Sequence, residues 1–168
     1  MQARSSRKSP RLEGYDYAQD GAYFLTSCTQ NRVHQFGHVM DQTMYLNEAG
    51  YIVETWWHRL PAKFADLELD LFVVMPNHIH GIVILNAWAG TQTRPYTIAS
   101  VMAWFKSMTT NHYIRGVRQR GWKPFVGKLW QRSFHDRIIR HERELNALRE
   151  YVLTNPARWE ADTFYDKG

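Results

Sequence analysis

The sequence predicts an α+β fold in which one antiparallel sheet carries helices on a face, and three observations support this. Runs with strand character alternate with segments whose apolar residues recur at helical spacing, in the order β, α, β, β, α, β, α. The second and third strands are separated only by Pro76-Asn77, a turn pair that makes them hairpin partners. A length of 168 residues with 44% hydrophobic composition suits one well-buried domain and is short for two.

The first 20 residues are polar and carry Arg4, Arg7, Lys8 and Arg11, so they read as a basic arm before a single domain over 21–168. No apolar core region follows those charges and no run approaches a membrane span. Neither a secretory signal nor a membrane partner is expected, and the cytoplasm is the default location. Residues 22–29 (AYFLTSCT) are rich in aromatic and β-branched types and form the first strand; Gly37 and Asp41 then mark a loop. Asn47 caps a helix in which Ala49, Ile52, Val53, Trp56 and Leu60 share a face until Pro61.

Residues 67–75 begin as alternating LELDL and turn wholly apolar, as a strand does on passing from a sheet edge into a core. Residues 78–85 return as its hairpin partner. Ile98, Val101, Met102, Phe105, Met108 and His112 repeat at the spacing of an amphipathic helix. Gly116 and Gly121 bracket a basic loop, and residues 128–137 (KLWQRSFHDR) read as a last strand with Trp130, Arg132 and Phe134 on one face. A final helix over 142–155 aligns Leu145, Leu148 and Val152 and stops at Asn155-Pro156. The βαββαβ order is the ferredoxin-like arrangement, with the last helix added to it.

Within this frame, His78 and His80 flank one isoleucine on a strand, and a residue alternation of two points both imidazoles to the same face. Such a pair either binds a metal or caps the hairpin. The single cysteine, Cys28, excludes an intramolecular disulfide and any cysteine-rich zinc site, so metal ligands would be histidine and oxygen. Tyr151 and Asn155, four residues apart, lie within ~40° of each other around the last helix. On that helix alone they read as a packing tyrosine and a helix stop.

A net charge of +5 and a pI near 9.4 favour a polyanionic partner. From Arg115 to Arg140 the chain carries Arg118, Arg120, Lys123, Lys128 and Arg132 among others, against Asp136 as the one acid, interleaved with Trp122, Phe125, Trp130 and Phe134. Cations for phosphates and rings for unstacked bases are the combination that holds single-stranded DNA. Trp122, in its glycine-flanked loop, is the stacking candidate, whereas Trp130 and Phe134 belong to the core. The arm is either a second DNA contact or solvated charge.

Four strings in this order, RLEGYDY (11–17), MPNHIH (75–80), LWQRSFHDRIIR (129–140) and YVLTNP (151–156), resemble the REP-associated tyrosine transposases, relatives of the single-tyrosine HUH insertion-sequence transposases. The resemblance runs from the arm to Pro156. It implies an HUH-type endonuclease and strand transferase with a ferredoxin-like catalytic core, acting on single-stranded, palindromic REP (BIME-type) hairpin DNA. It further implies that His78 and His80 bind a divalent metal, Mg²⁺ or Mn²⁺, with Asn155 as third ligand. Tyr151 would be the nucleophile, forming a covalent 5′-phosphotyrosine. A monomer or homodimer in the cytoplasm, associated with the nucleoid, is expected.

Two rivals remain. One is a domesticated hairpin-binding protein with little nuclease activity. The other is a zinc hydrolase built on the histidine pair, which the sequence opposes. A (β/α)₈ barrel needs a longer chain, and a histidine triad would need histidine where Ile82 stands.

Overall fold

A computed structural model describes residues 20–90 and 92–167, so Arg4, Arg7, Lys8 and Arg11 of the expected arm lie outside the described residues. Along the chain come β1 (Gly21–Cys28), a small hairpin of β2 (Gly37–Met40) and β3 (Thr43–Leu46), helices α1 (Glu48–His58) and α2 (Leu60–Lys63), strands β4 (Leu67–Met75) and β5 (His78–Leu85), helix α3 (Ile98–Arg120), strand β6 (His135–Ile139) and helix α4 (Glu142–Thr154). The main sheet has the order β4-β5-β1-β6 and is antiparallel throughout. That is the ferredoxin-like strand order, with α4 as the added C-terminal helix.

Strand alternation divides the sheet into two buried faces. Tyr23, Leu25, Ile79, Val83 and Leu85 meet Trp57 of α1 and Met102 and Phe105 of α3. On the other face Ile82, Ile139, Phe24 and Val73 meet Leu145, Leu148 and Val152 of α4. The β4 strand serves both because its register shifts between Leu69 and Phe72. That bulge leaves Leu69, Phe72 and Val74 toward α1 and α3, and Leu71 and Val73 toward α4. The wholly apolar second half of β4 is therefore the signature of a strand covered on both sides.

Three expectations are corrected. The loop marked by Gly37 and Asp41 is a hairpin, whose turn places Asp41 and Gln42 at φ 49° and 61°. Its four-residue strands carry too little periodicity to be read. The third helix continues through Gly116 to Arg120 and ends at Gly121 with φ 69°. Gly116 is tolerated there because the Trp122 ring lies on it, where an added Cβ would come within 2.1 Å of Cε3. The last strand begins only at His135; residues 128–134 are irregular, with a single bridge from Trp130 to Thr29. Lys106 Nζ on α3 donates to the carbonyls of Gln131 and Ser133 at 2.9 and 3.0 Å, groups that a paired strand would give to its neighbour. Trp130 and Phe134 are buried as expected, but Arg132 is exposed and does not share their face. Among the described residues no helix is long and apolar enough to cross a membrane.

Candidate active site

The alternation of β5 sends His78 and His80 to the α4 face. Neither imidazole sits at an exposed hairpin mouth, since both residues are at most 1% exposed. Each ring is held at Nδ1: Asn77 Oδ1 lies 2.7 Å from His78 Nδ1, and Thr26 Oγ1 lies 2.7 Å from His80 Nδ1. Thr26 is in reach because β1 pairs it with His80 directly. The two rings stand 4.6 Å apart at 70°, and with Nδ1 engaged on each, both Nε2 atoms face away from the backbone.

Helix α4 brings the tyrosine. Its start is capped by His141, which accepts from the Glu144 amide, and Glu142 and Glu144 occupy the positive end of the helix dipole. Leu145, Leu148 and Val152 pack it on the sheet, and Arg149 forks onto the Asp70 carboxylate at the β4 bulge, with both Nε contacts at 3.1 Å. Docked this way, Tyr151 places its hydroxyl 3.4 Å from His80 Nε2, while Phe24 stacks on His80 and meets the Tyr151 ring edge-on. Asn155, one turn later, caps the helix and is 1% exposed. Tyr151, His78, His80 and Asn155 thus converge.

Asp162 joins them and was not read from the sequence. After Asn155 the chain makes a 3-10 turn over Pro156–Ala161 and returns toward the sheet. Asp162 Oδ2 then accepts from Asn155 Nδ2 at 2.8 Å and from the Tyr151 hydroxyl at 3.4 Å. One ligand atom from each of His78, His80 and Asp162 lies within 4.8 Å of the others. Phe164 and Trp159 cover the His78 ring at 4.8 and 5.9 Å. The only signal in the sequence was an aspartate between aromatics just past a helix stop, which no periodicity links to a strand 80 residues earlier.

Burial pushes both imidazoles down to about 3, so they are neutral at ordinary pH. Burial, then the Asp162 negative charge, pushes the Tyr151 phenol up to about 12. Burial likewise raises the Cys28 thiol to about 11, which makes it inert. Asn155 lies against His78, yet His78 Nε2 and Asn155 Oδ1 are buried without a hydrogen-bond partner. With Nδ1–H of His78 directed to Asn77 and Nδ2 of Asn155 to Asp162, each of these two atoms presents a lone pair. A nitrogen lone pair and an amide oxygen beside the Asp162 carboxylate are a donor set that suits a divalent ion.

The expected DNA contacts separate into two places. Arg118, Arg120, Trp122 and Lys123 cluster at the end of α3, where Glu48 of α1 accepts from Trp122 Nε1 at 2.7 Å and pairs with Arg120 at 3.5 Å. Trp122 is half-buried against Gly116 and Tyr113, so it is not the free stacking ring that a flexible loop would present. Lys128 and Arg132 line a groove of about 360 Å³ between α3 and the segment before β6.

No family model matches the chain. An uncharacterized protein of Haemophilus influenzae (strain Rd) is 33% identical over 174 aligned positions, which cover 95% of this chain and 93% of that protein. The chain belongs to the family of that protein. Among solved structures, a REP-associated tyrosine transposase bound to a REP hairpin superposes with a TM-score of 0.58 at 19% identity, covering 88% of this chain and 74% of that one. The two share the fold: a ferredoxin-like sheet with a further C-terminal helix.

Proposed function

We propose that the chain is a metal-dependent single-strand DNA endonuclease and strand transferase acting on REP-type hairpin DNA, with Tyr151 as nucleophile. The observation that carries this reading is the meeting of Tyr151, from a helix late in the chain, with the histidine pair of β5 and with Asn155 and Asp162. The fold it shares with a transposase solved on a REP hairpin supports the same assignment.

In the proposed step Tyr151 Oη bonds to phosphorus, and the 3′ oxygen of the adjoining nucleotide leaves with the electron pair of the broken P–O bond. Asp162 Oδ2, already an acceptor for the phenol, receives its proton, and the leaving oxygen takes one from water. The phosphodiester is exchanged, so another 3′-hydroxyl can reverse the step without ATP. His78, His80 and Asn155 are the residues that would hold Mg²⁺ or Mn²⁺, with Asp162 beside them. Such an ion supplies positive charge against the scissile phosphate. Arg118, Arg120, Lys123, Lys128 and Arg132 are assigned to phosphates, with Trp122 beside them, and Arg4, Arg7, Lys8 and Arg11 to a second phosphate contact.

The rival binding-only reading is favoured by the burial of the Tyr151 phenol beside the Asp162 carboxylate, which disfavours its ionised form where no cation is bound. An adduct assay decides. Protein incubated with hairpin-bearing single strands and Mn²⁺ is expected to give a shifted protein–DNA band that survives denaturation and is lost in Tyr151→Phe. Tight hairpin binding by wild type with no adduct would establish the binding module instead.

A further inference from the structure

We propose that Asn77 is the positioning residue of the histidine pair, holding His78 in one tautomer and linking that tautomer to the seating of the chain segment that carries Asp162. Its role toward the metal rests on the function proposed above.

The argument is one of hydrogen-bond capacity. A primary amide has two N–H donors and one acceptor oxygen. Asn77 Nδ2 uses its donors on two backbone carbonyls, that of Phe164 at 2.9 Å and that of Arg32 at 3.2 Å. Oδ1 is then the atom left to face His78 Nδ1 at 2.7 Å. Flipping the amide would set Oδ1 against two carbonyl oxygens, so its orientation is determined by the carbonyls and not by the imidazole. An acceptor at Nδ1 makes that nitrogen the N–H, and the lone pair falls on Nε2, the buried atom without a partner.

The other imidazole shows what such a constraint adds. Thr26 Oγ1 at His80 Nδ1 is a hydroxyl, which can donate or accept by rotating, and so does not select a tautomer by itself.

One of the two carbonyls lies two residues beyond Asp162. The Phe164 amide also donates to Asp162 Oδ1 at 2.8 Å, so residues 162–164 close as one piece on Asn77. Arg32 completes the clasp. Its guanidinium donates to the Thr163 carbonyl at 3.1 Å and lies over the Phe164 ring, while its own carbonyl accepts from Asn77. Asn31 and Arg32 adopt consecutive left-handed conformations, both at φ 56°, a backbone that non-glycine residues rarely hold and that aims the carbonyl and the guanidinium at these partners. Without the Phe164 carbonyl, Asn77 would keep only that of Arg32 to orient its amide; with 162–164 seated, both carbonyls fix it and the Asp162 carboxylate lies beside the histidine pair.

The test uses the full-length, ¹⁵N-labelled protein without metal or DNA. Long-range ¹H–¹⁵N correlation is expected to show His78 as a single Nδ1–H tautomer in wild type and a mixture in Asn77→Ala. Mn²⁺ affinity by titration calorimetry should fall about 10- to 100-fold in that variant, the range for lost partners of metal-ligating histidines. Asn77→Asp keeps the acceptor for His78 but cannot donate to the two carbonyls. It should therefore preserve the tautomer while deuterium exchange at the Phe164 amide rises about tenfold or more. An Nε2–H tautomer in wild type overturns the proposal without any variant, and so does an Asn77→Asp protein whose Phe164 exchange is unchanged. None of these readings involves cleavage, so absence of a DNA adduct would overturn the endonuclease assignment and leave this one standing.

Discussion

The sheet has two buried faces that are put to opposite use. Toward α1 and α3, Trp57 stacks flat on Phe72 at 4.4 Å and stands edge-on to Phe105 at 5.5 Å. Gly81 is held free of a side chain because a Cβ there would come within 2.3 Å of the Trp57 ring. Toward α4 the same strand buries His78 and His80 among Thr26, Asn77, Tyr151, Asn155 and Asp162. One face is excluded from water by shape, and the other is excluded from water while keeping lone pairs. Alternate residues of one strand can thus lose stability or function separately.

The largest expected effect breaks the first face. Trp57→Ala should cost about 3–5 kcal/mol of unfolding free energy, the usual range for deleting a buried aromatic, read by urea denaturation. On the second face the expected weakness is acid. The imidazoles are depressed to about 3, below the 6.5 they take when unfolded, so their contribution is complete above pH 6.5 and lost as pH falls below it. Stability should therefore fall as pH drops below 6.5. His80→Phe should make that fall shallower, and an unchanged slope would place the acid sensitivity elsewhere.

His80→Gln should lower adduct formation at least about 100-fold, equivalent to about 2.7 kcal/mol of barrier, with hairpin affinity little altered. Gly81→Ala, one residue along the strand but on the opposite face, should do the reverse. It should destabilise by about 1–3 kcal/mol through overpacking against a ring that cannot move aside, while folded protein forms adduct at the wild-type rate. Equal loss of adduct in both variants would show that the faces are not independent.

The smallest effect concerns the tether of α4. The Arg149 guanidinium holds the Asp70 carboxyl below its ordinary range, so the pair stabilises above the usual aspartate pKa of about 4 and ceases to as pH falls through the lowered value. Asp70→Asn should lower the melting temperature slightly at pH 7, and that difference should shrink as pH falls below about 4. Arg149 is more than a third exposed, which keeps the effect small.

Much of this was legible in single segments. The helical face of Leu145, Leu148 and Val152 is the face that packs, and the Pro76-Asn77 turn does close a hairpin with Met75 opposite His78. The strand expected over 128–137 was misread because alternating Trp130, Arg132 and Phe134 imitates a strand, while the Lys106 ammonium takes the carbonyls that pairing would need. The α3 helix ran past its expected end because a glycine weakens a helix by only about 1 kcal/mol, and Trp122 covers Gly116.

What the sequence by itself determined is whatever follows from backbone geometry between near neighbours. A strand's repeat of two places His78 and His80 on one side, and a helix's repeat of 3.6 places Tyr151 above Asn155. Only the tertiary structure decided that those two sides face each other, that the histidines are buried, and that Asn77 and Asp162 close around them. Such contacts depend on how sheet, helix and returning chain pack, and no local period records the distance between segments far apart in sequence.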